Sequence, residues 1–406
     1  MAAQAFHVRR NLRLLYAFGL AREFTPILAI WVVYLTDFRH LTLTQVGVME
    51  GLFWSVKLCL EIPSGAFADH FGRRATFIAG IGLEAFGTAI FAFAGDFTLL
   101  AASYVLWSAG LAFRSGNDEA YLYDALVATE QEHEYSDRIG VYWALNTAAM
   151  LAGGLAGGVL AEVANLQIAV LASLVPFALA LPLLLLMQEP PRRPRQHGVG
   201  LTRTLLNGLG TVWRSAELRS ILLLEVALTG TFPAFILLAQ PFLDAHGVPL
   251  ALFGVLAIPV HLARTGAGLL SGRVARRVGL SATLAASVAG AAGGLLLLAL
   301  VDNVFAFAGL GIAMASVSMA LPAIGAYVND RTESEVRATV LSVAPMGTSM
   351  MMGAVSLAAG VIGAQSLRLA FGAMAAVIFV AGGANLLTWL GTSKTARHAE
   401  IDVADT

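Results

Sequence analysis

Ser64-Gly65-Ala66-Phe67-Ala68-Asp69-His70-Phe71-Gly72-Arg73-Arg74 decides the architecture of this 406-residue chain. The stretch closes one apolar run and opens the next. Gly65 and Gly72 let helix ends approach closely and let the chain turn sharply. Asp69 falls at the junction, placed to pair with Arg73 or with Arg138 at the mouth of a later run. An acid among arginines suits an ion pair made in one conformation and broken in another. The plainer alternative is a basic loop with a capping aspartate. Ser271-Gly272-Arg273-Val274-Ala275-Arg276-Arg277-Val278-Gly279 echoes the stretch 207 positions later, with Ser, Gly, Ala and the final Gly coinciding. Chance agreement of small residues is one explanation. Duplication explains more, because each copy ends the second apolar run of its half.

Working outward, twelve runs long enough for membrane spans follow one another. They lie near 12–37, 44–68, 75–95, 98–127, 139–162, 167–188, 217–243, 249–271, 280–301, 303–329, 337–362 and 367–391. A spanning helix needs about 20 mostly apolar residues. The runs are continuous rather than alternating, which excludes a β-barrel. The first is too long for a cleavable signal peptide and is interrupted by Arg22-Glu23. Composition agrees: 58% of residues are hydrophobic and 13% charged, against about 25% charged in soluble domains. Most of the surface must therefore face lipid. The expected fold is an all-α membrane protein of two six-helix bundles. Its parts are residues 1–188, a cytoplasmic linker 189–216 rich in proline and arginine, residues 217–391, and a cytoplasmic tail 392–406.

Lys and Arg set the orientation. With both termini inside, nineteen lie in inner segments and only Arg39 and Arg368 in outer loops. The net charge of -1 leaves no footprint for nucleic acid. Cys59 is the only cysteine, so no disulfide and no cysteine-based zinc site is possible within the chain. Neither lysine, Lys57 or Lys394, follows a glycine, so a phosphate-binding loop is absent. H-E-x-x-H and G-x-S-x-G are absent too, which argues against a membrane-embedded enzyme. No cofactor is expected, and the energy source is expected to be a proton gradient.

Residues 65–74 resemble the G-x-L-A-D-R-x-G-R-K signature of the major facilitator superfamily, which joins spans 2 and 3 on the cytoplasmic side. The resemblance implies two six-span halves with a substrate site between them, and a cytoplasmic gate formed by Gly65, Asp69, Gly72, Arg73, Arg74 and Arg138. Glu61-Ile62-Pro63-Ser64-Gly65 and Ser115-Gly116-Asn117-Asp118-Glu119-Ala120-Tyr121-Leu122-Tyr123-Asp124 are similar to a mostly bacterial branch with many drug-efflux-like members. Two departures from its antiporters stand out. Aligned on Gly110, their span-4 arginine is replaced by Leu106, with Arg114 further on. Their span-5 G-P-x-x-G-G reads Gly153-Gly154-Leu155-Ala156-Gly157-Gly158, whose glycines close helix packing also explains.

An ionisable residue at bilayer depth costs about 2.5–3.5 kcal/mol and usually faces the bundle interior or a wet cavity. The amino-terminal half holds most of them: Arg22, Glu23, Glu50, Lys57, Glu61, Glu84, Arg114, Asp118, Glu119 and Asp124. The other half offers Glu225, His261 and Arg264. If span 4 is one helix, Arg114, Asp118 and Tyr121 share a face and Glu119 points about 100° away. Arg22, Glu23 and Arg114 lie at a similar depth, about 15 Å from the inner end. A network of Arg22, Glu23, Arg114 and Asp118, with Glu119 beside it, would bind and release protons if its pairing changes through the cycle. The rival reading is a permanent salt-bridge network that fixes packing. Glu84 is expected to pack or snorkel because the resemblance makes span 3 peripheral. Lys57 is expected to pair with Glu61, with a coupling role or an anionic-substrate contact as the alternatives, and Arg264 is placed where it could hold His261.

Phe24, Trp31, Tyr121, Tyr142, Asn146, Phe232 and Phe235 are the candidates for lining a substrate cavity. The expected protein is a monomeric, multi-pass transporter of a bacterial inner membrane, working by alternating access on a small molecule. Proton-coupled export of an amphipathic organic compound is the first reading. Proton-linked symport or facilitated uptake of a metabolite is the alternative.

Overall fold

The computed structural model describes residues 6–191, 210, 212–332 and 334–404. Residues 192–209 of the expected linker, with Thr211, lie outside the described residues, as do the last two of the tail. Every regular element described is helical, in keeping with the all-α expectation. Two compact units divide the chain: Met1–Gln196 with Gly247–Ala257, and His197–His246 with Ile258–Thr406.

The first unit contains α1 (Val8–Glu23), α2 (Leu43–Phe71), α3 (Arg73–Phe93), α4 (Phe97–Arg114), α5 (Asn117–Val127), α6 (Tyr135–Val163), α7 (Leu166–Ala172) and α8 (Leu174–Leu186). Thr42 and Gln45 form a capping box that starts α2, and Asp96 accepts from the Leu99 amide to start α4. These side chains satisfy amide donors that the first helical turn leaves free. The first expected span is broken. α1 stops at Glu23, and Pro26 opens a tight turn, Pro26–Ala29, leading into helical turns at Trp31–Val33 and Tyr34–Phe38. The fourth span is broken as well: Ser115 is non-helical and Gly116 is left-handed, φ 70°.

The second unit carries α9 (Ala216–Thr229), α10 (Phe232–Ala245), α11 (Leu250–Val278), α12 (Leu280–Leu300), α13 (Ala308–Arg331), α14 (Ser334–Gly363), α15 (Leu367–Val377) and α16 (Gly383–Ala404). The first turns of α11, to Ala257, group with the first unit.

The duplication is visible helix by helix. α2 and α11 are both 29 residues long, α3 and α12 both 21, and each second copy starts 207 positions after the first. Gly72 and Gly279 make the intervening turn with φ of 107° and 88°, a region that only glycine occupies without strain. Four residues on, the Thr76 and Thr283 hydroxyls donate to the carbonyls of those glycines at 2.6 and 2.9 Å.

Among the described residues, ten helical segments are long and apolar enough to cross a membrane. The first two of the twelve expected spans are not among them, for readable reasons. Span 1 is interrupted at residues 24–25, and α2 carries Glu50, Lys57 and Glu61. Apolar side chains fill the interior of the first unit, with Leu15, Phe18, Phe77 and Tyr121 fully buried. Phe93, Leu269, Leu300 and Phe305 are just as plainly exposed. Large apolar groups on both the inside and the outside suit a chain solvated by lipid.

Candidate functional site

Five ionisable side chains converge inside the first unit. Arg22 and Glu23 end α1, Arg114 ends α4, Asp118 lies in the first turn of α5, and Glu84 sits mid-way along α3. Glu84 is 3% exposed and accepts from both guanidiniums, Arg22 Nε at 3.4 Å and Arg114 Nε at 3.3 Å. Arg22 also pairs with Glu23. Arg114 Nη1 lies 3.4 Å from Asp118 Oδ2 and 3.9 Å from Glu23 Oε1. The other Asp118 oxygen accepts from the Tyr142 hydroxyl of α6 at 2.8 Å.

Backbone breaks build this cluster. The left-handed Gly116 ends α4 and restarts the chain as α5, so Asp118 sits at a helix N-terminus, where the macrodipole favours a carboxylate. Small residues bring α3 and α4 together. A Cβ on Gly110 would lie 2.5 Å from Glu84 Cγ and 2.6 Å from the Gly80 carbonyl oxygen. Gly110 therefore has a packing reason of its own. Asn146 lies next to Tyr142 on α6, buried, and neither polar atom of its amide has a well-formed hydrogen bond among the described residues. Such a group calls for a water or a ligand atom.

Several expected residues stand elsewhere. Glu119 is exposed and outside the cluster, beside Tyr135. The single-helix geometry assumed for span 4 does not hold, although Arg114 and Asp118 still meet across the break. Tyr121 belongs to the apolar core, its hydroxyl donating to the Gln188 carbonyl at 2.7 Å. Trp31 packs its ring on Tyr104, and Phe235 is fully buried in the second unit. All three are buried. Phe24 is exposed on an apolar groove beside α6 and α8. Phe232 lies under the Arg264 guanidinium, 4.8 Å away, so Arg264 stacks on a ring instead of holding His261. Lys57 pairs with Glu61 at 3.1 Å.

At the turn between α2 and α3, the carboxylate that Arg73 meets at salt-bridge distance is Asp124, at 3.3 Å, and that of Arg138 is Glu134, at 2.8 Å. Pairs with Asp69 were expected there; Asp69 itself is exposed, as is Gly65. Glu189 caps the turn: its two oxygens accept from the Arg73 and Arg74 amides at 2.7 and 2.8 Å, at the N-terminus of α3. The Arg74 side chain reaches back to the Leu184 and Leu185 carbonyls. Sequence reasoning missed Glu84 as a cluster member and Glu189 as a cap. For Glu84 the signal was its mid-span position. Glu189 had none, since it reads as the first residue of a linker.

A profile of the Major Facilitator Superfamily matches residues 14–319. The chain belongs to that superfamily. Membership makes it a membrane transport protein rather than an enzyme. Among solved structures, the nucleoside transporter NupG (D323A mutant) aligns with a TM-score of 0.73 at 10% identity, covering 96% of this chain and 99% of that one. An inward-facing, unoccupied bacterial homologue of the human lysosomal transporter Spinster aligns at 0.69 and 16% identity, covering 95% and 97%. At such identities the likeness shows the superfamily fold alone. An uncharacterized MFS-type transporter, YxaM of Bacillus subtilis (strain 168), is 28% identical over 147 residues, 35% of this chain. The match spans about a third (34%) of that relative's length.

Proposed function

We propose that this superfamily member exports a small amphipathic organic compound in exchange for protons. It works by alternating access, as a monomer in a bacterial cytoplasmic membrane with both termini inside and no cofactor. One observation carries the coupling: three carboxylates, two of them buried and Glu23 partly so, face two guanidiniums. Ionised throughout, the set has one negative charge too many for a low-dielectric site. A proton on one carboxylate neutralises it.

Asp118 is the carrier. Glu84 and Glu23 each contact both arginines, whereas Asp118 meets one arginine and a tyrosine hydroxyl. Protonating Asp118 gives up the least electrostatic stabilisation. The weight of Lys and Arg in the inner segments supports the orientation, and the branch-like motifs at 61–65 and 115–124 support export.

A growth screen of a deletion strain against a complemented strain supplies the cargo. Asp118→Asn should then abolish gradient-driven accumulation in proteoliposomes while substrate exchange persists. Driven transport at the wild-type rate would remove Asp118 from the coupling. In everted vesicles, a cargo-induced rise in lumenal pH marks antiport; acidification as solute enters marks the symport alternative.

A further inference from the structure

Glu50, Trp54, Lys57 and Glu61 succeed one another on α2 at spacings of four, three and four. That places all four within an arc of about 60° on one side of the helix. Near the far end of this stripe, Lys57 pairs with Glu61 at 3.1 Å, and Glu61 also accepts from the Ser115 hydroxyl at 3.3 Å. Glu50 lies about 10 Å from Lys57 along the axis. Among the described residues no cation reaches it; its one hydrogen-bond donor is the Trp54 indole nitrogen at 3.3 Å.

Tyr104 of α4 packs against this part of α2 through the ring of Phe53. Tyr104 is 1% exposed, and its hydroxyl has no hydrogen-bond partner among the described residues. Its ring lies 6.3 Å from Trp31 and 6.2 Å from Phe53, and Phe53 packs edge-on against Trp54 at 5.3 Å. Glu50 and Trp54 are only half-buried. A carboxylate at bilayer depth stands toward a bundle interior or a wet cavity, so a solute can approach this stripe.

We infer that Glu50, Trp54 and Tyr104 form a binding site for an organic monocation. The carboxylate supplies the countercharge, the half-buried indole supplies a π face, and the idle Tyr104 hydroxyl supplies a hydrogen bond. An anion finds nothing here, because the one lysine on the stripe is held by Glu61. With the site empty, Glu50 carries a proton or faces water; an arriving cation competes with that proton. The groups that bear on this competition are Trp54, Lys57 and Glu61 on α2 and Tyr104 on α4. The inference deepens the export reading and rests on it for the identity of this ligand as cargo, though not for the binding itself.

The test uses the full-length protein purified in detergent, with tritiated N-methyl-4-phenylpyridinium as the probe and its neutral isostere 4-methylbiphenyl as competitor. Wild type should bind the cation saturably, more weakly as pH falls, and without competition from the isostere. Glu50→Gln should weaken binding at least about tenfold and flatten the pH dependence, a loss typical of removing one member of a charge pair. Glu50→Asp should restore most of it, which shows that the site still folds. Trp54→Ala should weaken it by roughly three- to tenfold. Absence of saturable binding to wild type, equal binding by Glu50→Gln, or equal affinity for the isostere each overturns the site. Persistent gradient-driven transport by Asp118→Asn sinks the coupling assignment and leaves the Glu50 site standing. Unaltered binding in Glu50→Gln does the reverse.

Discussion

Glu84 accepts from guanidiniums on two different helices, and this sets the size of the effect expected when it is removed. A carboxylate that merely snorkels at the edge of a bundle contributes about 0–1 kcal/mol. Breaking a buried pair by deleting one partner costs about 3–5 kcal/mol, because a charge is left without compensation. Glu84→Ala should therefore fall in the higher range. It should appear as a marked drop in the melting temperature of the detergent-solubilised protein, with Glu84→Gln between it and wild type. A loss below about 1 kcal/mol would return Glu84 to a peripheral role. The sequence announced the charges, since an ionised group inside an apolar run needs a physical reason to be there. Their partners were legible only in part. Arg114 and Asp118 were paired from spacing, and they do meet, but Glu84 comes from a helix whose rotation about its own axis no spacing rule supplies. Glu119 shows the same limit from the other side. Next to Asp118 in sequence, it is exposed, because adjacent helical residues point about 100° apart.

At the scale of elements, the break after α1 rests on the glycines of α6. A Cβ at Gly153 would run into the Thr25 amide, and one at Gly157 would overlap the Pro26 carbonyl. A Cβ at Gly154 would meet only Ala29 Cβ, at 3.8 Å, an ordinary contact. Glycines three residues apart on one helix thus make opposite predictions. Gly157→Ala should destabilise by about 1–3 kcal/mol, the usual result of overpacking, whereas Gly154→Ala should be near neutral. Melting of the two variants side by side in detergent decides it, and equal behaviour would mean that the glycines do not hold this segment. Packing was the reading that the Gly153–Gly158 pattern favoured, but its partner was not legible. The apolar run from 12 to 37 looks continuous, because hydropathy says nothing about whether the backbone stays helical through Phe24-Thr25-Pro26. For the same reason span 4 read as one helix, although Gly116 takes a left-handed turn in the middle of it. What did survive from sequence to structure was the repeat. Identical helix lengths and a shared glycine turn depend on few residues, and those residues are present in both copies.

For the whole molecule, the proposed orientation makes a demand on each loop. Moving an arginine across the hydrocarbon core is costly, so the side holding nineteen of the Lys and Arg residues, against two on the other, should remain in the cytoplasm. Two copies of a 29-residue helix followed by a glycine turn and a 21-residue helix should both place that turn inside. Cysteine labelling tests both demands together. Cys59 is exposed, so the background is Cys59→Ser. Ala128, Ala245 and Arg273 are exposed positions after α5, at the end of α10 and near the end of α11. On that background, Ala245→Cys should react with a membrane-impermeant maleimide in intact cells. Ala128→Cys and Arg273→Cys should react only after permeabilisation. Labelling of all three in the reverse sense would invert the orientation and, with it, the direction of the proposed export. Labelling that puts Ala128→Cys and Arg273→Cys on opposite sides would do more damage: it would require an odd number of crossings between residues 128 and 273, where the expected spans number four.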